Sequence, residues 1–463
     1  MTREKKLFKN TMIYALGNFS SKGLVFLMLP IYTSFLTPRE FGSYDLIVTI
    51  VTLLVPIISF QIQEGSFRYI IDEKEHAQKY QVVSSTIQII VRNLIVSNIL
   101  YILCISFFNI HYSLLIMVYY NVYIFSEVYL QVARGFQKNL DYAIAGIINT
   151  LVNLISTLIL TIGFNLKIEG LLISVIFGFI TSLVYLEMKI KILKNIKFFN
   201  KNITIRSNLV RYSVPLIPNI LNWWIMNVSD RLLLTHFMGV EANGIYAIAN
   251  KFPSIIIIMN SIFYLAWQES AITEYSSKDK DKFYSQMFNG FMKFQVSCLL
   301  VLLSLSPIFI YLFVESEFKE AYLYMPFLYM GAVLSSFSSF YGTGFQSAKE
   351  TKGAFYSSVL GSVLNIILNL LLIPYIGIQG AAISTMLAFL VMWIMRIYQT
   401  KKYFRIKIDV KSLLILIVLT IIFTITYFNV ENILSQVIFI TVSLLTAFLY
   451  NKQLCYKLLK QKF

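Results

Sequence analysis

The chain has 463 residues, 57% hydrophobic and only 13% charged, with 39 Lys and Arg against 23 Asp and Glu. That is too apolar for a soluble domain, and the formal net charge of +16 falls in short breaks between apolar runs rather than in any nucleic-acid-reading pattern. The three cysteines, Cys104, Cys298 and Cys455, have the spacing of neither a metal site nor a disulfide framework, so no metal or cofactor is expected.

Taken in chain order, fourteen apolar windows stand out: 11–36, 44–62, 81–108, 112–133, 143–163, 168–188, 212–238, 244–266, 286–313, 322–346, 354–374, 378–398, 412–428 and 433–450. About twenty residues at ~1.5 Å each cross a hydrocarbon core of ~30 Å. Backbone polar groups in lipid must be satisfied within the segment, which selects helices over open strands. The basic decapeptide before the first window is followed by a run too long for a signal-peptide core, so no cleaved leader is expected.

The breaks orient the chain. With the N-terminus placed in the cytoplasm, thirty Lys and Arg fall on the inner side and three, Arg39, Lys167 and Lys319, on the outer. Both termini are then cytoplasmic. The positive charge is read as loops facing an anionic leaflet.

The chain repeats after six windows. Gly42-x-Tyr44 recurs as Gly244-x-Tyr246, Gly135-Phe136-Gln137 as Gly344-Phe345-Gln346, and Ile168-x-Gly170 with Ser174 as Ile378-x-Gly380 with Ser384, at offsets of 202, 209 and 210. Six is even, so the halves are parallel, an arrangement used by transporters. The expected fold is an all-α integral membrane protein of about 14 transmembrane helices. It has two pseudosymmetric six-helix bundles, 1–200 and 201–400, plus an extra helix pair and cytoplasmic tail, 401–463. That last pair carries no charged residue over 412–430 or 432–451, and suits lipid or a long isoprenoid tail.

Six cations remain inside the windows: Lys22, Arg92, Arg231, Lys251, Lys293 and Arg396. A basic group at mid-membrane costs about 2.5–3.5 kcal/mol on insertion scales, so such groups turn toward a wet interior or snorkel. Lys293 and Arg396, near cytoplasmic ends, are read as snorkelling. Lys22, Arg231, Lys251 and Arg92 are read as an electropositive cavity for an anionic headgroup, phosphate being the obvious one. Asp230 and Glu127 are the intramembrane acids, each either an ion-coupling group or a packing partner. Trp223 and Trp224 suit either sugar stacking or interfacial anchoring. Pro30, Pro215, Pro218, Pro253 and Pro307 are expected to break or bend helices. His76, His111 and His236 form no constellation and the outer breaks are short, so no catalytic residues and no enzyme activity are predicted.

An ordered series of motifs carries a family likeness. It runs from Pro30-Ile-Tyr-Thr33 through Leu36-Thr37-Pro38, Tyr212-Ser-Val-Pro-Leu-Ile-Pro218, Ser229-Asp230-Arg231 and Ala249-Asn250-Lys251. It continues with Lys352-Gly-Ala354, Asn365, Asn369 and Gly377-Ile-Gln-Gly-Ala-Ala382. The chain resembles the Wzx-type oligosaccharide flippases, the polysaccharide-biosynthesis branch of the MOP superfamily that also holds the MATE exporters. The resemblance implies two six-helix bundles with alternating access in a bacterial plasma membrane. The implied cargo is an undecaprenyl-diphosphate-linked repeat unit for O-antigen, lipopolysaccharide or capsule. It also implies a cation-lined lumen, a proton or sodium gradient as driving force, and polymerase or assembly proteins as partners; nucleic acid is not among them. The alternative on the same fold is a multidrug or organic-cation antiporter, which calls for an acidic, aromatic cavity.

Overall fold

The computed structural model describes residues 28–196, 202–348, 351–430 and 432–460. Every regular element among the described residues is helical. We number them α1 Leu29–Phe35, α2 Pro38–Ile58, α3 Ile62–Asp72, α4 His76–Phe107, α5 Ser113–Gly135, α6 Asn139–Thr157, α7 Ile168–Ile190 and α8 Ile203–Ser213. They continue as α9 Ile217–Met238, α10 Val240–Lys251, α11 Ser254–Glu274, α12 Lys280–Phe313, α13 Met325–Ser347, α14 Thr351–Ile376, α15 Ile378–Thr400, α16 Val410–Phe428 and α17 Ile433–Lys460.

Local chemistry sets several ends. Thr37 caps α2 in a capping box: the Glu40 N–H donates to Thr37 Oγ1 (3.3 Å) and the Thr37 N–H to Glu40 Oε2 (2.9 Å), with Pro38 in the first turn. Asp409 caps α16 by accepting the Ser412 N–H (3.1 Å) and hydroxyl (2.6 Å). Those two bonds, then Lys293 at 3.1 Å, hold its carboxyl at about 2, below the usual carboxylate range.

Eleven helices among the described residues are long and apolar enough to cross a membrane, twelve if the bent pair Val240–Lys251 and Ser254–Tyr264 is one span. The expectation is fourteen. The first predicted span, 11–36, lies mostly outside the described residues. α9 is long enough at 22 residues but carries Asn219, Asn222, Asn227, Asp230, Arg231 and His236, which make it more polar than the other long helices. Conversely, α3 and α8 are 11 residues each, too short at ~1.5 Å per residue to cross.

Proline acts unequally. Around Pro253 the chain bends by 45° between α10 and α11. Pro307 is accommodated inside a continuous 34-residue helix, α12, contrary to the expected interruption. Pro215 occupies a 3₁₀ turn and Pro218 the first turn of α9, where a missing N–H costs least.

The chain packs as two compact units, Met1–Trp224 and Ile225–Phe463. The core of the first is aliphatic and tyrosine-rich: Ile62, Ile70, Val83, Ile90, Val128 and Val132 are wholly buried. In the second unit rings dominate. Trp267 stacks on Phe340 at 4.2 Å and meets Tyr284 edge-on at 5.1 Å, while Phe263 stacks on Phe291 at 4.3 Å. α16 and α17 pack on α12, and α17 is held there by polar contacts: the Ser304 and Ser443 hydroxyls share a bond at 2.7 Å and Asn451 Nδ2 donates to Ser297 Oγ at 2.9 Å. The remaining faces of the pair are exposed and apolar.

The repeated glycines have a packing reason. A Cβ on Gly380 would lie 2.7 Å from the backbone carbon of Leu372, and one on Gly170 would lie 3.1 Å from the Leu166 side chain. Each opens a helix that passes close to the chain before it; at Gly380 only glycine leaves room, and at Gly170 a side chain would have to give slightly.

Candidate functional site

The second unit holds a buried polar cluster where four helices meet. α9 supplies Ser229 and Asp230, α10 Tyr246, α14 Asn365 and Asn369, and α15 Thr385. Asp230 is 2% exposed. The Tyr246 hydroxyl donates to Asp230 Oδ2, the Arg231 N–H to Asp230 Oδ1 (2.9 Å), and Thr385 Oγ1 lies 3.4 Å from Oδ2. Asn365 links the rest: its Nδ2 donates to Thr385 Oγ1 (3.2 Å), and its Oδ1 accepts from Ser229 Oγ (3.1 Å) and Asn369 Nδ2 (3.0 Å). Asn369 is fully buried, and its Oδ1 has no hydrogen-bond partner among the described residues.

A polar knot of this kind costs more to bury than apolar packing unless its members satisfy one another. One carboxylate, three hydroxyls and two amide oxygens form a hard-oxygen set, suited to a proton or an alkali cation and unsuited to a transition metal. No group of three His, Cys, Asp or Glu that could hold a metal ion occurs among the described residues.

The predicted cations are placed as follows. Arg231 is half-buried beside Asp230, and the two charges interact, although neighbours on a helix need not pair. Lys251 is half-buried at the last turn of α10, at the 45° bend, where its carbonyl accepts the Ser254 hydroxyl. Lys22 lies outside the described residues. Arg92 is exposed on α4 in the first unit, donates to Asn93 Oδ1 (3.2 Å), and lines a pocket shared with α8. Arg396 is not a snorkelling residue. It is buried, donating to Ser338 O (2.6 Å), Ser357 Oγ (3.0 Å) and Ser358 Oγ (3.0 Å), acceptors that α13 and α14 place around it. Lys293 reaches Asp409, the cap of α16, at 3.1 Å.

In the first unit Glu127, on α5, feels the charge of Glu64 on α3, which in turn feels that of Arg134. Glu64 Oε1 accepts from Gln131 Nε2 (2.8 Å), whose Oε1 accepts from Arg134 Nη1 (2.9 Å). Tyr123, one turn before Glu127, stacks with Tyr119 and with Phe179 of α7, the three rings lying 5.0–6.2 Å apart. Trp224 Nε1 donates to Thr52 Oγ1 (3.2 Å), and Trp223 is half-buried beside it in sequence. Glu64 escaped the sequence reading because it falls in a predicted break. Tyr246 was read only as a repeat marker; its i+16 separation from Asp230 gives no local signal.

A family model described as polysaccharide biosynthesis protein matches residues 7–267, more than half of the chain. The chain belongs to the polysaccharide biosynthesis protein family. A MatE model also matches residues 215–371 of the chain, the stretch holding Asp230, Asn365 and Asn369. An uncharacterized membrane protein of Methanocaldococcus jannaschii is 26% identical over 409 residues, 82% of this chain and 94% of that one. Among solved structures, the lipid II flippase MurJ in an inward closed conformation shares the fold with a TM-score of 0.73 at 17% identity, over 97% of this chain and all of the other. An inward-facing multidrug resistance MATE family transporter of the MOP superfamily gives 0.64 at 15% identity, over 84% of this chain and 98% of that one. The family member is thus a multi-pass membrane protein with the MOP transporter fold.

Proposed function

We propose that this protein is a flippase that carries an undecaprenyl-diphosphate-linked oligosaccharide from the cytoplasmic to the outer leaflet of a bacterial plasma membrane by alternating access, both termini being cytoplasmic. The observation that carries the reading is a polysaccharide-biosynthesis family chain with the fold of a lipid II flippase over nearly its whole length. A diphosphate cannot cross bare hydrocarbon because of its desolvation cost, so the protein must supply compensating cations. Lys22, Arg231 and Lys251 are assigned that work. Trp223 and Trp224 are assigned to the glycan, and the lipid tail stays in the bilayer. Asp230, with Thr385, Asn365 and Asn369, is assigned to coupling: a proton or sodium ion held by their oxygens changes the charge beside Arg231.

The test is translocation in vesicles of a fluorescent polyprenyl-diphosphate oligosaccharide, read by its accessibility to a membrane-impermeant quencher. Wild type exposes the inner-leaflet pool; Arg231→Ala and Lys251→Ala slow the step about tenfold or more, at equal protein level and melting temperature. Normal rates in both variants sink the headgroup assignment. The MatE match and the Glu64–Glu127 pair favour one second reading, an organic-cation antiporter. Efflux of an organic cation without movement of the lipid-linked probe would establish that reading in place of the first.

A further inference from the structure

The first unit carries a second basic site on its periphery. A cavity of about 510 Å³ lies between α4 and α8, lined by Gln88, Arg92, Ile203, Arg206, Ser207 and Arg211 among others, and no carboxylate lines it. Arg92, Ser207 and Arg211 stand exposed at its mouth, with Arg206 half-buried behind them. Arg206 donates to Gln88 Oε1, yet its Nε is buried without a partner among the described residues. No ion pair among the described residues engages any of the three guanidiniums. Three cations gathered on one cavity without a counter-charge repel one another, and an anion removes that cost.

Depth identifies the anion. Beyond Arg92, α4 exposes Ile95, Val96, Ile99, Leu100, Ile102, Leu103 and Phe107, a face suited only to acyl chains. From Arg92 to Phe107 is about 22 Å of helix, so Arg92 lies about 8 Å short of a full hydrocarbon thickness, within reach of an arginine stem. α8 cannot cross the bilayer, carries Arg206 and Arg211, and lies in the most basic of the breaks assigned to the cytoplasm. The cavity therefore stands at headgroup level on the basic side, at the foot of an acyl-chain track.

We propose that Arg92, Arg206 and Arg211, with Gln88 and Ser207, form a binding site for the phosphate of an anionic membrane lipid. Guanidinium forks present paired N–H donors that match phosphate oxygens, and Ser207 adds a hydroxyl. The lipid tails lie along the exposed face of α4. The site is independent of the proposed transport reading: it holds whether or not the chain moves a glycan.

The same chemistry has two sources, bulk anionic phospholipid or a polyprenyl phosphate, and the experiment separates them. The purified full chain is placed in phosphatidylcholine nanodiscs with phosphatidylglycerol or with undecaprenyl diphosphate, and retained lipid is counted by native mass spectrometry. The double variant Arg206→Gln/Arg211→Gln loses at least about tenfold in retention of the lipid that occupies the site. Arg206→Lys, which keeps the charge but not the fork, falls between. Lys191→Gln, outside the cavity, changes nothing. Melting temperature in phosphatidylcholine alone certifies folding of each variant. Loss confined to phosphatidylglycerol or confined to undecaprenyl diphosphate supports the site and names its source. Equal retention by wild type and the double variant, or equal losses in Lys191→Gln, overturns it. So does occupation by inorganic phosphate that excludes neither lipid.

Discussion

Tyr246→Phe isolates the bond at the centre of the polar cluster. It removes one hydroxyl and leaves a ring of the same shape, at a residue 1% exposed whose hydroxyl donates to the buried carboxylate of Asp230. A hydrogen bond to a buried charged group contributes about 1.5–3 kcal/mol, and a carboxylate deprived of a donor also keeps its desolvation cost. Asp230 retains the Arg231 N–H at 2.9 Å, while Thr385 at 3.4 Å compensates little. The expected loss of stability is therefore about 2 kcal/mol. In the background of Asp230→Asn the acceptor is neutral, and the same substitution should cost about 1 kcal/mol, leaving a coupling near 1 kcal/mol in a double-mutant cycle. The assay is reversible unfolding in mild detergent with a mixed-micelle denaturant, run on all four proteins. A Tyr246→Phe cost below about 0.5 kcal/mol, or full additivity with Asp230→Asn, would refute the argument.

Two further pairs of substitutions set a buried environment against an open one. Gly380→Ala places a methyl 2.7 Å from the Leu372 backbone and should lower the melting temperature by several degrees, whereas Gly290→Ala, with nothing within 4 Å, should hold or raise it through better helix propensity; the reverse order would show that the α14–α15 approach is not tight. Arg396→Met removes three hydrogen bonds from a buried guanidinium and should cost about 3 kcal/mol or more, while Lys293→Ala breaks only a half-exposed ion pair and should cost under about 1 kcal/mol. Equal effects of the two on detergent unfolding would restore Arg396 to the headgroup region.

How much of this was legible follows from which physics each feature obeys. Thirteen of the fourteen windows fall on described helices because length and apolarity are local properties of the chain. The two short helices α3 and α8 were hidden: each fills a polar break, and amphipathic segments of 11 residues do not announce themselves by hydropathy. Asp230 was found as an acid in an apolar run, but its partners Tyr246 and Thr385 lie 16 and 155 residues away and belong to other helices. Depth along a helix could place Arg396 near a boundary. It could not show that Ser338, Ser357 and Ser358 would close around it, since they come from two other helices.

The sequence by itself determined that the chain lives in a membrane and that its ordered motifs belong to a polysaccharide biosynthesis family. The first follows from the energy of moving apolar segments between water and hydrocarbon, which each segment meets alone; the second follows from residue motifs read in order along the chain. Only the tertiary structure decided which polar groups meet: the knot around Asp230, the serine cage of Arg396, the acid pair Glu64–Glu127 and the arginine-lined cavity between α4 and α8. Inside a bilayer, contacts between helices rest on close packing and hydrogen bonds between side chains far apart in sequence, and no window of the chain carries that information.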